Sequence, residues 1–320
     1  MKYSVVIEPQ EGQTYDDIFA VAQRAESLGF DGFYRSDHYA SVWRGTERGS
    51  TDAWATLAGL ARDTKRITIG TMVSPATFRS AANLSMTAAT VAQMAGVVDG
   101  APRVHVGLGT GWLESEHRMY GFPFDDVATR FRRLEEYARV IRGLWGSNGS
   151  TFDFDGEFEH LQGAIFLPAP DPAPHVVVGG NGRVKTIRLA AEFADEMNTP
   201  WATPEDVVEL RGLLDAACGR VGRAPIPLTV TAACLVGTTE AEVERRCREL
   251  HADIGSGDFD TWIDERRSTW AIGTPDQVAR HVSNLGAAGA AGFTFMHLLP
   301  HDLDMLDLVA HEVLPRIGAA

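Results

Sequence analysis

The segments ITIGTMVSP at residues 67–75 and VHVGLGTGW at residues 104–112 decide the fold class. Each begins as a short apolar run with β-branched residues and ends in small, turn-forming residues, as a buried strand followed by a loop does. Between them, residues 82–98 have the composition and length of a helix. A strand, a crossover helix and a second strand predict a βαβ unit with parallel strands.

The same alternation continues through the rest of the chain. Further strands are predicted at residues 5–7, 30–34, 175–178, 228–236 and 292–298, and further helices at 18–28, 54–61, 128–144 and 183–193. Thr203-Pro204-Glu205-Asp206 and Thr274-Pro275-Asp276-Gln277 each place a capping threonine before a proline and an acidic first turn, which predicts two more helices. About eight such units, with no Gly-x-Gly-x-x-Gly after the first strand, favour an α/β protein with a closed (β/α)8 TIM barrel over an open doubly wound sheet.

The length of 320 residues fits one such barrel domain, residues 1–320, with insertions. No linker or low-complexity segment divides the chain. The strand–helix alternation breaks twice, around residues 146–174 and 255–270, and we predict an insertion at each place. Within the first, Asp155-Gly156 stands between alternating residues, a pattern typical of a β-hairpin.

Composition and charge argue against several other classes of protein. A formal net charge of −14 without a run of Lys or Arg argues against nucleic-acid binding, and no apolar run approaches the ~20 residues of a membrane span. The three cysteines form no Cys-x-x-Cys pair, so neither a disulfide framework nor a zinc knuckle is expected. Residues 1–8 have the pattern of a strand and not of a signal peptide. We therefore expect a cytoplasmic protein that acts on a small molecule.

In a barrel of this kind, the active site lies where the strands end and the following loops begin. The second strand ends in Asp37-His38, and His38 could transfer or stabilise a proton. Adjacent strand residues point in opposite directions, so Asp37 cannot simply orient His38 as in a protease triad. The alternative to a catalytic role is that Asp37 and His38 are capping or hydrogen-bonding residues at the end of the strand. No metal ligand set is expected, because the first strand ends Glu8-Pro9-Gln10 and lacks the His-x-His of barrel metalloenzymes.

Two glycine-rich turns follow other predicted strands. Gly179-Gly180-Asn181-Gly182 precedes a predicted helix, and in such a turn the backbone N–H groups can approach a phosphate. The cations nearest to this turn are Arg183 and Lys185, with Arg44 and Arg48 on the loop after the second strand. Gly109-Thr110-Gly111 forms a second tight turn at which the backbone can approach a flat ring. Each turn could instead be an ordinary strand–helix connection.

Together these strand ends resemble the luciferase-like flavin and deazaflavin oxidoreductases, over nearly the whole chain. The shared motifs include Gly-x-Gly-x-Gly-Trp, Glu-x-x-x-Tyr-Gly and Arg-x-x-x-x-Glu, found here as residues 107–112, 116–121 and 130–135. The segment Ser36-Asp37-His38-Tyr39, with Trp43 nearby, resembles the branch of the family that uses the deazaflavin coenzyme F420.

The resemblance implies a role for each matching residue. Asp37 and His38 would contact the deazaflavin ring, with His38 as the acid or base. Val73 and Ser74 would lie behind the ring and be joined by a non-proline cis peptide bond. Gly179 and Gly180, in one turn with Asn181 and Gly182, would hold the cofactor phosphate, and Thr110 would border the ring.

One departure from the family bears on the substrate. The F420-dependent sugar-phosphate dehydrogenases have a catalytic Glu directly after the Gly-x-Gly turn, where this chain has Trp112, and Ser115 replaces a nearby Asn. A more apolar substrate than glucose 6-phosphate is therefore expected. The resemblance implies an F420-dependent oxidoreductase that transfers a hydride to or from a small organic substrate, and we expect a homodimer.

Three other functions remain open at this point. The first is a monooxygenase that uses reduced flavin mononucleotide (FMN) and oxygen. The second is a flavin-binding protein without turnover. The third is a metal-independent sugar-phosphate isomerase, because a phosphate site and a histidine would also suit that reaction. A fold alone does not decide among them.

Overall fold

The computed structural model describes residues 1–43 and 48–318. Eight parallel strands form a barrel, which closes through the pairing of the sixth strand with the seventh. The strands are β1 Lys2–Ile7, β2 Gly32–Arg35, β3 Thr68–Pro75, β4 Val104–Gly109, β5 His175–Gly179, β6 Glu196–Pro200, β7 Leu228–Val236 and β8 Gly292–His297. The predicted TIM barrel is thereby confirmed.

Helices cover the outside of the barrel. They are α1 Tyr15–Ser27, α2 Ala53–Asp63, α3 Ala81–Ala95, α4 Glu114–Tyr120, α5 Val127–Gly146, α6 Lys185–Phe193, α7 Pro204–Arg220, α8 Glu240–Ile254, α9 Phe259–Asp264, α10 Pro275–Ala287 and α11 Leu303–Leu308. After α11 the chain continues as a π-helical turn, Val309–Val313, and a 3-10 turn, Leu314–Arg316. Apolar side chains of the helices and strands form one continuous core.

Side-chain caps begin the helices where the sequence predicts them. The threonine at position 203 accepts a hydrogen bond from the Asp206 backbone N–H, and the Asp206 carboxylate accepts one in return from the Thr203 N–H. Thr274 and Gln277 form the same reciprocal arrangement at the start of α10. These bonds satisfy backbone groups that a helix end otherwise leaves unpaired, so the positions of both helices are fixed locally.

The differences from the sequence prediction include one helix that ends early and one strand that was not predicted. Helix α3 ends at Ala95 and not at Val98, because Gly96 has a positive φ of 73° and the next two residues pair as a short strand with Ala101–Pro102. The strand β6 was not predicted, because its sequence, EMNTP, is short and mostly polar. The β-propensity of such a segment is low, and its place in the barrel is set by pairing on both sides.

The predicted hairpin forms in the segment between α5 and β5. Strands Thr151–Asp155 and His160–Ile165 pair in antiparallel fashion. The second irregular region contains α9 and is followed by a short strand, Ala271–Gly273, which extends the sheet beside the end of β7. Among residues 1–43 and 48–318, no helix combines the length and apolar character that crossing a membrane requires.

Candidate active site

A cleft of about 530 Å³ opens at the carboxyl ends of the barrel strands. This volume lies within the range typical of small-molecule sites. Six of the predicted site residues line the cleft: His38, Val73, Thr110, Gly179, Gly180 and Asn181. The other three, Asp37, Ser74 and Gly182, are not among the lining residues. Most of the residues that the sequence predicts for the site therefore lie around one cleft, but three do not.

His38 lies on the wall of the cleft, and its ring is held by a buried carboxylate. The Nδ1 atom of His38 is 2.9 Å from Oε1 of Glu116, whose side chain is completely buried. The other carboxylate oxygen of Glu116 accepts a hydrogen bond from the Tyr39 backbone N–H at 3.0 Å. Because Nδ1 is engaged in this way, Nε2 is the ring nitrogen left for a ligand in the cleft.

Electrostatics favour the protonated form of this histidine. Burial lowers the pKa of His38. The hydrogen bond that its ring donates to Glu116 and the negative charges of Glu116, Glu8 and Asp37 outweigh burial and raise the pKa above its ordinary value. Glu8 also lines the cleft, and burial raises its pKa although His38, Gln10 and Ser36 oppose the shift. The raised pKa increases the protonated fraction of His38 at a given pH, and a protonated imidazole can act as a general acid.

Asp37 supports the wall of the cleft from behind. Its carboxylate accepts hydrogen bonds from Arg79 Nη1 at 2.6 Å and from Ser74 Oγ at 2.5 Å. Trp54 Nε1 donates to the same Ser74 hydroxyl at 3.2 Å. Asp37 is only 2% exposed, so its side chain positions β2 against β3. The structure thus places Asp37 and Ser74 in a buried network next to the cleft, and not on its surface.

Val73 occupies a space that three glycines leave open. A Cβ atom built on Gly107, Gly109 or Gly179 would lie 2.6–2.9 Å from a Val73 methyl carbon. The side chain of Val73 therefore packs directly over the backbones of β4 and β5. A flat cradle of this kind, formed by one valine and bare backbone, suits the face of a ring system.

The predicted position of the cis peptide bond was wrong by one residue. The non-proline cis bond joins Met72 to Val73, and not Val73 to Ser74. The pairing of β3 with β4 shifts between Thr71 and Ser74, and Ser74 is already back in regular register with Leu108. The irregular part of the strand therefore lies before Ser74.

The glycine turn after β5 is arranged differently from the simplest phosphate loop. The N–H of Gly180, which has a φ of 147°, donates to the carbonyl of Asn198 at 3.0 Å and is already engaged. Helix α6 begins only at Lys185, and no side chain caps its first turn. The N–H of Gly180 is therefore not available to a phosphate, whereas no side chain occupies the start of α6.

The predicted cations are mostly committed to other partners. Arg183 pairs with Asp206 and Glu209. Arg48 pairs with Glu11 and Asp253, and Lys185 lies 5.3 Å from the centre of the Phe131 ring. Arg44 lies outside the described residues. None of the three described cations lines the cleft.

Sequence reasoning missed several residues of the site. Asn198 lies in the unpredicted strand β6 and Trp201 directly follows it, and both line the cleft. The side chain of Asn198 donates to Thr229 and accepts from Thr231, so its orientation is fixed. Glu116 stands in a family motif, yet its contact with His38 joins positions far apart in the chain and no local pattern reveals it.

A larger cavity of about 930 Å³ adjoins the cleft, and Glu8 and Trp43 line both. It lies between β8 and α8 and includes none of the glycine-rich strand ends. His297 faces this cavity, and burial lowers its pKa to about 4, so the ring is neutral at neutral pH. The smaller cleft is the candidate active site because the strand ends converge there.

The barrel carries a cleft at its carboxyl face, with a histidine held in place and a flat cradle of valine and glycine. These features are typical of a barrel enzyme with room for a ring-shaped ligand. Residues 1–292 match the luciferase-like monooxygenase family, and the chain belongs to this family of oxidoreductases.

Relatives within the family carry two kinds of activity in their names, F420-dependent dehydrogenase and monooxygenase. An F420-dependent glucose-6-phosphate dehydrogenase of Amycolatopsis mediterranei is 33% identical over 95% of both chains. Pyrimidine monooxygenase RutA of Stutzerimonas stutzeri is 28% identical over 81% of this chain and 71% of the other. The match to the glucose-6-phosphate dehydrogenase of Gordonia bronchialis, at 34% identity, spans only 56% of this chain and 51% of the relative.

Solved structures show the same fold. An F420-dependent secondary alcohol dehydrogenase in complex with an F420–acetone adduct superposes with a TM-score of 0.82 at 22% identity and covers 99% of each chain. EDTA monooxygenase from Chelativorans superposes with a TM-score of 0.80 at 19% identity, covering 100% of this chain and 94% of the other. At these identities the superpositions establish the architecture alone.

Proposed function

We propose that this protein is an F420-dependent oxidoreductase that transfers a hydride between the deazaflavin and a small organic substrate. The observation that carries the proposal is the contact between His38 and Glu116 on the wall of the cleft. It supplies a proton-transfer group beside the Val73 cradle, within the Ser36–Tyr39 segment that resembles the F420-dependent branch. The long match to an F420-dependent relative supports the same cofactor.

The proposed roles of the residues follow from their positions. The F420 ring, when bound, supplies the hydride chemistry. Val73 and the bare backbone of Gly109 and Gly179 would hold one face of the ring. His38 would hold or give a proton through Nε2 while Glu116 fixes the orientation of the imidazole. Thr110 and Asn181, which line the same cleft, would contact the cofactor from its edges.

Trp112 favours an apolar substrate. Its side chain is 61% exposed at the rim of the cleft, with its ring 6.0 Å from that of His38 in an edge-on arrangement. A tryptophan offers a large apolar surface and one N–H donor, but no carboxyl proton. We therefore propose a small apolar substrate and not glucose 6-phosphate.

The second candidate is a monooxygenase that uses reduced FMN. It is favoured by the similarity to RutA over most of this chain. The same cradle would accept an FMN ring, and His38 would then lie in the cleft in which reduced FMN reacts with oxygen. The two functions differ in one measurable respect, which is the requirement for oxygen.

Turnover in the absence of oxygen tests the proposal. Reduced F420 is incubated with the protein and a panel of small organic acceptors, and oxidation of the cofactor is followed by absorbance. Matched reactions contain reduced FMN and oxygen, with oxygen consumption as the signal. We expect acceptor-dependent oxidation of reduced F420 without oxygen. Substrate-dependent oxygen consumption with reduced FMN, and no turnover with reduced F420, would identify a monooxygenase. Binding of either cofactor without turnover across the panel would identify a flavin-binding protein.

We further propose that the protein is a cytoplasmic homodimer. The three cysteines, Cys218, Cys234 and Cys247, are all free and buried, which is compatible with a reducing compartment. Light scattering coupled to size-exclusion chromatography distinguishes a dimer from a monomer of 34.7 kDa.

A further inference from the structure

At the opposite, amino-terminal end of the barrel, three potential metal ligands meet on neighbouring strands. The second residue of β4 is His105, the first residue of β5 is His175, and the first residue of β6 is Glu196. His105 and His175 are direct partners in the parallel register. Their rings stack with centroids 4.2 Å apart and planes inclined by 23°. Residues opposite each other on adjacent strands point the same way, so the barrel itself brings these side chains together.

One donor atom in this group has no partner. Nε2 of His175 is buried and makes no hydrogen bond with any described residue. It lies 3.6 Å from Oε2 of Glu196, too far for a hydrogen bond. Buried polar atoms are satisfied in the great majority of cases, so an orphaned imidazole nitrogen that faces a carboxylate calls for an additional ligand between them.

The remaining atoms of the three side chains are held by other residues. Nδ1 of His105 is 2.9 Å from the Tyr34 hydroxyl, which leaves its Nε2 as the ligand atom. The Thr229 hydroxyl donates to Oε1 of Glu196 at 2.6 Å, which leaves Oε2. Metal-binding histidines and carboxylates have such outer partners as a rule, because those partners fix the ligand geometry.

We propose that His105, His175 and Glu196 bind a divalent transition metal ion at the amino-terminal end of the barrel. One ligand atom from each residue lies within 4.8 Å of the other two, and no second cluster of this kind occurs among the described residues. In a tetrahedral zinc site the ligand atoms are about 3.4 Å apart, as follows from bonds of ~2.1 Å. Small side-chain rotations therefore close the site.

The chemistry of the donors agrees with such an ion. Two imidazoles and one carboxylate form a donor set that suits Zn²⁺ and Co²⁺ and leaves one position for water. The side chains of His175 and Glu196 are 25% and 13% exposed, so solvent reaches the edge of the site, although the Nε2 atom of His175 is itself buried.

The ion would act as a structural clamp. Its ligands come from β4, β5 and β6, and β6 is the short polar strand that the sequence pattern did not predict. The site lies towards the amino-terminal ends of these strands, whereas His38 follows the carboxyl end of β2 and lines the cleft. Metal binding should therefore raise thermal stability without taking part in the reaction, because a ligand that binds only the native state stabilises it.

Titration with Co²⁺ and Zn²⁺ tests this inference, on protein that carries no polyhistidine tag. We expect one equivalent of Co²⁺ to bind at micromolar concentration or tighter, to give the visible absorption of a four-coordinate ion, and to be displaced by Zn²⁺. The melting temperature should rise with either ion. Without metal, His175→Gln and Glu196→Gln should fold normally, because both side chains are partly exposed, but they should bind Co²⁺ at least 100-fold more weakly.

Two further variants complete the experiment. Tyr34→Phe removes the outer partner of His105 and should weaken Co²⁺ binding by ~10–100-fold. His301→Gln is the matched control, because the side chain of His301 is 81% exposed and far from the cluster in the chain; its affinity should equal that of the wild type. Absence of saturable Co²⁺ binding in the wild type, or equal affinity in His175→Gln, would overturn the assignment.

Discussion

Replacement of Glu116 by glutamine is the sharpest test of how the His38 ring is controlled. The wild-type carboxylate accepts two hydrogen bonds, from Nδ1 of His38 and from the Tyr39 N–H. Glutamine has one acceptor oxygen and an NH₂ group. If the oxygen keeps the Tyr39 bond, the NH₂ group faces Nδ1, and His38 must then accept at Nδ1 and carry its proton on Nε2.

The expected magnitudes follow from these two bonds. A hydrogen bond to a charged group contributes about 1.5–3 kcal/mol, and Glu116 is completely buried. Glutamine replaces this charge-assisted bond by a neutral one, so the free energy of unfolding should fall by about 1 kcal/mol, the difference between the two kinds of bond. The wrong tautomer should lower turnover by ~100-fold or more, because the group facing the cleft can no longer exchange its proton in the same way.

The pH dependence has a defined sign. The folded protein raises the pKa of His38 above its ordinary value of 6.5, after burial is outweighed by Glu116. The stabilisation of the fold by protonated His38 is therefore fully present below about pH 6.5. It is lost as the pH rises through the pKa of His38 in the folded protein. The stability difference between wild type and Glu116→Gln should be larger at pH 6 than at about pH 9. In a plot of turnover against pH, the change that reflects titration of His38 should occur at lower pH in the variant than in the wild type.

Urea unfolding at several pH values and a pH profile of turnover measure both effects. Glu114→Gln is the matched control, because Glu114 lies on the same helix, is 51% exposed and pairs only with the exposed Arg118 among the described contacts. It should change neither quantity. A Glu116→Gln protein with wild-type turnover and an unmoved pH profile would refute the view that Glu116 controls the protonation of His38.

Three further predictions concern the walls of the cleft. His38→Ala should reduce turnover by ~100-fold or more with little change in cofactor affinity, and unchanged steady-state turnover would reduce His38 to a structural residue. Gly179→Ala places a Cβ atom 2.6 Å from a Val73 methyl carbon and should lower the free energy of unfolding in urea by about 1–3 kcal/mol. The double variant that also carries Val73→Ala should recover stability, whereas additive losses would exclude the direct clash. Asp37→Ala leaves the mostly buried Arg79 with one carboxylate fewer and should destabilise by about 3 kcal/mol, whereas a loss under 1 kcal/mol would argue against a structural role for Asp37.

The sequence predicted the barrel well because its strands and helices have strong local signals. Apolar runs such as residues 104–108 and capping sequences such as Thr203–Asp206 contain their own structural information. The strand β6 had no such signal, since its polar residues Asn198 and Thr199 face partners that exist only in the closed barrel. Tertiary pairing there overrides local propensity.

The candidate site was predicted less completely, for a related reason. Strand ends can be identified from the chain, and His38 and the glycine turns were found in this way. Which side chain faces the cleft depends on contacts between distant segments. Asp37 turns away because Arg79 binds it, and His38 is held by Glu116, 78 positions further along the chain. Such contacts leave no periodic pattern in the sequence.

Equilibrium titration with both cofactors tests the central proposal most directly. Coenzyme F420 and FMN are added separately to the same protein preparation in the same buffer, and binding is followed by the change in their absorbance or fluorescence. We expect micromolar or tighter binding of F420 and weaker binding of FMN. Tighter binding of FMN than of F420 would contradict it and would assign the cleft to a flavin-dependent enzyme.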